Sequence, residues 1–115
     1  MLNLPIQVAE ESTFQQLVLE SNRPMLVIFC GDDCRPCREF IPAVKGIKEV
    51  YQERIDTVRV KSSQNPVLVA EYEVVDMPKF VLFDNGKAVS EITGVVSVFE
   101  LLAWVDEFFA TKSSV

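Results

Sequence analysis

Three cysteines fall within the eight residues Cys30-Gly31-Asp32-Asp33-Cys34-Arg35-Pro36-Cys37, and the last two have C-x-x-C spacing. Two thiols so placed can close a small ring, so they can pass between dithiol and disulfide by exchange with another disulfide. The attacking species in that chemistry is the thiolate. Upstream runs Met25-Leu26-Val27-Ile28-Phe29, an apolar stretch of the length and branching of a strand buried on both faces. Downstream, Phe40, Val44, Ile47 and Tyr51 recur at helical spacing. The cysteines therefore stand where a strand hands over to a helix. The first helical turn carries unpaired N–H groups and the positive end of the macrodipole, and both favour a thiolate. Cys34 is the expected nucleophile and Cys37 the thiol that closes the ring. Arg35 adds a favouring cation, whereas Asp32 and Asp33 oppose it, and Asp33 equally suits a helix N-cap. Charges at ~4 Å in a surface-like dielectric interact by a few kcal/mol at most, so the sign of their sum stays open.

Other uses of the three thiols are weaker. Buried cysteines also serve as small hydrophobes. The spacing Cys30-x3-Cys34-x2-Cys37 matches one that binds iron–sulfur clusters in radical enzymes, but those enzymes need a far larger barrel. Cys30 ends a buried strand and is expected as a buried free thiol. No metal and no cofactor is expected. Histidine is absent, which removes Cys-His nucleophilic pairs and every histidine metal site.

The whole chain bounds the reading further. Its 115 residues suit one domain over 1–115, with 49% hydrophobic residues and only 4 glycines, an ordinary globular composition. A net charge of −6 argues against a nucleic-acid surface. Three cysteines are too few for a secreted disulfide scaffold. Met1-Leu2-Asn3-Leu4-Pro5 lacks a basic leader region, and no apolar run approaches the roughly 20 residues of a membrane span. The expectation is a soluble cytoplasmic protein with no membrane partner.

The remaining elements follow from spacing. Ile6 and Val8 flank a first strand, and Ser12-Thr13-Phe14-Gln15 has capping-box spacing ahead of a helix ending near Ser21. The helix from Cys34 runs to about Arg54, with Pro42 expected to kink it. Val58 and Val60 alternate with Arg59 and Lys61 in a third strand, and Asn65-Pro66 opens a short helix through Tyr72. Phe80-Val81-Leu82-Phe83 and Val89 to Thr93 flank Asp84-Asn85-Gly86-Lys87, whose Asn-Gly pair signals a tight hairpin. A last helix starts at Ser97, with Glu100 in capping-box position and a stripe of Leu101, Leu102, Val105, Phe108 and Phe109. Thr111 to Val115 reads as a frayed tail. The order βαβαβαββα is an α/β layout with a parallel half and an antiparallel hairpin.

Over roughly Ile6 to Ala110 the chain resembles the thioredoxin family, the familiar example of a tuned C-x-x-C pair. The resemblance rests on Cys34-Arg35-Pro36-Cys37, Pro42 five residues later, Gln64-Asn65-Pro66, Met77-Pro78, Phe83-Asp84-Asn85-Gly86 and Gly94, in the family's order and spacing. It implies a thioredoxin fold, a central mixed sheet flanked by helices, and Met77-Pro78 as the family's cis pair facing the cysteines. It further implies protein disulfides as substrates, a thioredoxin-reductase-type electron donor and a monomer. The matching docking rim is Asp33, Val75-Asp76-Met77-Pro78 and Gly94-Val95. Several positions depart from the family. Asp33 replaces its tryptophan before the first cysteine, Arg35 its glycine and Cys30 its earlier tryptophan. Ile28 stands where it buries an aspartate, and Arg59 where a lysine accompanies that aspartate. Two functions follow. The first is a protein-disulfide reductase acting through Cys34 and Cys37. The second is a thioredoxin-like adaptor whose dithiol is slow or regulatory.

Overall fold

Six consecutive buried residues, Met25–Cys30, form strand β2, the centre of the sheet in the computed structural model. The structure describes residues 6–31, 35–94 and 97–113. Five strands are hydrogen-bonded in the order β1-β3-β2-β4-β5: β1 (Gln7–Val8), β3 (Asp56–Lys61), β4 (Lys79–Asp84) and β5 (Lys87–Thr93) around β2. Strands β1, β3 and β2 are parallel, and β2, β4 and β5 are antiparallel. The parallel half and antiparallel hairpin read from spacing are both present, and the mixed sheet flanked by helices is the thioredoxin fold that the resemblance implies.

Strand alternation divides β2 between two cores. Leu26, Ile28 and Cys30 join Phe80 and Leu82 of β4 on one face, against Val44 and Ile47 of α1 (Arg35–Tyr51) and Leu101 and Val105 of α3 (Val98–Ser113). Met25, Val27 and Phe29 lie on the other face with Val58 and Val60 of β3, Val81 and Phe83 of β4, Phe14, Val18, and Leu68 of α2 (Pro66–Glu71). Both faces of β2 are thus sealed, which explains why its sequence shows no polar alternation. A 3-10 turn, Gln52–Arg54, continues α1 to the residue expected from the sequence. There the Arg54 guanidinium lies 4.7 Å from the Phe109 ring centre, and Phe109 stacks on Tyr51. Among the described residues no helix is long and apolar enough to cross a membrane.

The hairpin turn takes the form that its Asn-Gly pair demands, with positive φ at Asn85 (52°) and Gly86 (77°). Gly86 is required for a second reason. A Cβ there would come within 2.2 Å of the Leu19 carbonyl oxygen, so the turn packs directly on the end of the first helical segment.

Two local expectations are corrected. The capping box at Ser12 is not made: Thr13 Oγ1 accepts the Glu10 N–H at 3.0 Å, and the first turn already closes from Phe14 N–H to the Glu10 carbonyl. The segment that follows, Gln15–Leu19, is wound as a π-helix, with Glu20 N–H donating to the Gln15 carbonyl five residues back. The frayed tail is also wrong for its first three residues. α3 continues through Ser113, and Lys112 Nζ reaches the Asp84 carboxylate at 3.1 Å, which ties the last turn to the hairpin. At the start of α3 the cap holds, with Ser97 Oγ accepting the Glu100 N–H at 3.1 Å.

Candidate active site

Cys37 is the third residue of α1, is disulfide-bonded, and is 2% exposed. Cys30 is a free thiol, also buried. Cys34, Asp33 and Val95 lie outside the described residues. Arg35 opens α1 and is exposed, Pro36 follows it in the helix, and Pro42 lies inside the same helix. Ile28 is 0% exposed and shares the apolar cluster of Cys37 and Cys30, so an apolar side chain fills the position where the resemblance implies a buried carboxylate. Arg59 stands opposite Ile28, and Lys61 opposite Cys30, in the parallel β2–β3 register. Val58 and Val60 face the other core, so strand alternation turns Arg59 and Lys61 toward the cysteine side. Cys30, Cys37, Arg59 and Lys61 meet at a cavity of about 280 Å³ between the ends of β2 and β3 and the start of α1.

The β4 and β5 registers assemble the rest of the site. Phe29 pairs with Lys79, and Lys79 with Thr93. The residues just beyond those pairs therefore lie at one end of the sheet: Cys30 and Gly31 after Phe29, Pro78 before Lys79, and Gly94 after Thr93. The Met77–Pro78 peptide is cis, as the resemblance implies, and Gly94 has a positive φ of 70°. Pro78 is buried, while Val75 is 82% exposed and Asp76 and Met77 are exposed beside it, a surface of mixed apolar and acidic character. Of the expected rim residues, Pro78 and Gly94 thus share the sheet end occupied by Cys30.

Lys79 was not singled out by the sequence reading. It is buried, and its Nζ donates to the Tyr72 carbonyl at 2.6 Å and pairs with Glu91 at 3.1 Å. It holds the chain end of α2 and hence the segment leading to Met77–Pro78. A lysine after a Pro at a strand start carries no local signal of this role, because its partners come from α2 and β5. Replacing it in Lys79→Met leaves a buried carbonyl without its donor, and about 2–4 kcal/mol of stability should be lost. Glu91→Gln should cost under about 1 kcal/mol, since the Glu91 side chain is 60% exposed. Urea unfolding of the two variants checks this; equal losses would shift the weight to the ion pair.

Burial pushes the Cys30 thiol up to about 11, with the nearby Arg59 guanidinium pulling in the opposite direction. An ordinary cysteine thiol titrates near 9.0, so between pH 9 and 11 the unfolded chain is expected to give up this proton while the folded protein keeps it. Fewer protons on the unfolded state mean that stability falls as pH rises through that window, by up to about 2 kcal/mol. Unfolding curves should show the fall in the native protein and lose it in Cys30→Val. A fall of the same size in the variant would assign it to other groups.

The model of the family described as Thioredoxin matches residues 5–107. Among curated relatives, thioredoxin X, chloroplastic, of Arabidopsis thaliana is 36% identical over 98 residues, 84% of this chain and 54% of that protein. Thioredoxin 1 of Synechococcus elongatus is 33% identical over 97 residues, covering 84% of this chain and 91% of the relative. Thioredoxin 1 of a Nostoc species is 36% identical over 86 residues, 75% of this chain and 80% of the relative. The chain thus spans about half the length of the Arabidopsis relative and nearly all of the Synechococcus one.

Proposed function

Because this chain belongs to the thioredoxin family, we propose that it is a thiol–disulfide oxidoreductase that reduces protein disulfides through Cys34 and Cys37. The Cys34 thiolate attacks a substrate disulfide; one substrate sulfur bonds to Cys34 and the other leaves as thiolate. The Cys37 thiolate then attacks Cys34, forming the Cys34–Cys37 bond and releasing the second substrate thiolate, so the substrate gains two electrons and the protein loses them. A thioredoxin-reductase-type donor restores the dithiol. The observation that carries this reading is that Cys37 is disulfide-bonded and buried at the start of α1, while Cys30 is not bonded. Substrate docks on the rim of Asp33, Val75-Asp76-Met77-Pro78 and Gly94-Val95. The protein acts as one domain over 1–115, as a monomer, in the reducing environment of the cytoplasm.

A second reading is favoured by Ile28. With that side chain fully buried beside Cys37, no carboxylate stands at this position to accept a proton from the resolving thiol. A slow dithiol on a thioredoxin scaffold would serve an adaptor. Turbidity of insulin in dithiothreitol separates the two. Precipitation well ahead of the protein-free control supports the reductase, and precipitation that merely keeps pace with the control favours the adaptor.

A further inference from the structure

Arg38, Arg59 and Lys61 line the cavity beside Cys37, and among its described lining residues there is no carboxylate. Its other walls are the Cys30 thiol, the disulfide-bonded Cys37, Gly31 and the apolar Ile41. None of the three cations enters an ion pair among the described residues. The Arg59 Nε is buried and finds no hydrogen-bond acceptor. A buried guanidinium donor without an acceptor bears its desolvation cost uncompensated, and an oxyanion satisfies it best, because guanidinium–oxyanion bonds are charge-assisted. The arrangement follows directly from strand register: Arg59 opposite Ile28 and Lys61 opposite Cys30 bring two cations to the face where the helix delivers Arg38 and Cys37. At about 280 Å³ the space exceeds what a few waters need.

We propose that this cavity is a binding site for a tetrahedral oxyanion, phosphate or sulfate, held by Arg59, Lys61 and Arg38 next to Cys37. The same chemistry is presented by a free ion and by the terminal phosphate of a small monoester. Binding has a kinetic consequence. Cations beside a sulfur stabilise its anion, and a bound dianion cancels that field, so occupancy slows the step in which Cys37 attacks the mixed disulfide. The consequence rests on the proposed role of Cys37; the binding site does not.

The disulfide form of the 115-residue protein is titrated with sodium phosphate near neutral pH, with sodium chloride holding ionic strength constant, while thermal unfolding is followed. A saturable rise in Tm with phosphate, absent in the chloride control, is expected. Arg59→Gln should weaken the apparent affinity about tenfold or more. Lys61→Gln should weaken it in the same direction, and serves alone if the Arg59 variant does not fold. Glycerol phosphate in a parallel arm distinguishes the sources: a matching rise assigns the site to monoester ends, and no rise assigns it to the free ion. No saturable rise with phosphate, or an undiminished rise in the variants, overturns the site. Resolution of a preformed mixed disulfide should slow in phosphate for the native protein and not for Arg59→Gln. Phosphate binding with an unchanged resolution rate overturns the kinetic consequence. A protein that binds phosphate yet reduces no disulfide retains the site and refutes the reductase reading.

Discussion

Cys37→Ser protein mixed with a disulfide substrate will accumulate a stable covalent adduct through Cys34, and Cys34→Ser protein will form none. The asymmetry comes from position. Cys34 precedes the first residue of α1, where unpaired N–H groups and the helix dipole favour a thiolate. Cys37 is 2% exposed and lies within the apolar cluster that includes Ile28 and Phe40, so its sulfur is shielded from an incoming protein disulfide. Removing Cys37 leaves the first exchange intact and blocks the second, which traps the intermediate. Removing Cys34 takes away the proposed attacking sulfur, and reductase activity should fall about a thousandfold or more. Mass spectrometry of the adduct after proteolysis identifies the bonded cysteine. An adduct on Cys37 or Cys30 would reverse the assignment.

Ile28→Asp will speed resolution at neutral pH while weakening the fold. In the native protein the proton of Cys37 must leave without a neighbouring carboxylate at this position, so the resolving rate should climb with pH. A carboxylate there can accept that proton directly, which is worth about 10- to 100-fold where proton transfer limits the rate. The cost arises because Ile28 is completely buried between β2 and the helices. Removing its apolar contacts and burying a carboxyl group should cost about 3–5 kcal/mol. Burial also raises the introduced carboxyl's pKa. The unfolded chain then binds fewer protons than the folded one above the ordinary carboxylate range, and the stability loss should deepen as pH rises. Ile28→Asn provides the control, being of similar size and polar without being a base. Single-turnover kinetics on a preformed mixed disulfide measure the step itself. A gain in Asn equal to that in Asp, or no gain in a folded Asp variant, would show that proton acceptance does not limit resolution.

Much of this protein was legible in local spacing. The unbroken run at Met25–Cys30, the helical recurrence from Phe40 to Tyr51, and the Asn85-Gly86 turn each carry their structural instruction within a few residues. Strand alternation, helix periodicity and positive-φ turns are such short-range demands. The C-x-x-C pair was legible for the same reason, whereas the cis Met77-Pro78 bond was an implication of the family resemblance. The first helical segment was misread because the winning interactions, Thr13 with Glu10 and Glu20 with Gln15, compete with a capping box of equally good local pattern. Lys112 was misread as tail because its partner Asp84 is 28 residues away. Only the tertiary structure decided what surrounds Cys37. Alternation sets Arg59 and Lys61 apart from Val58 and Val60, and the resemblance singles out Arg59, but only the parallel register sets the two cations opposite Ile28 and Cys30. Lys79 gained its role from a carbonyl at the end of α2 and a carboxylate on β5. Pairing partners distant in the chain are chosen by the packing of whole elements, so the charge lining a cavity between β2, β3 and α1 is a property of their register and not of any one segment.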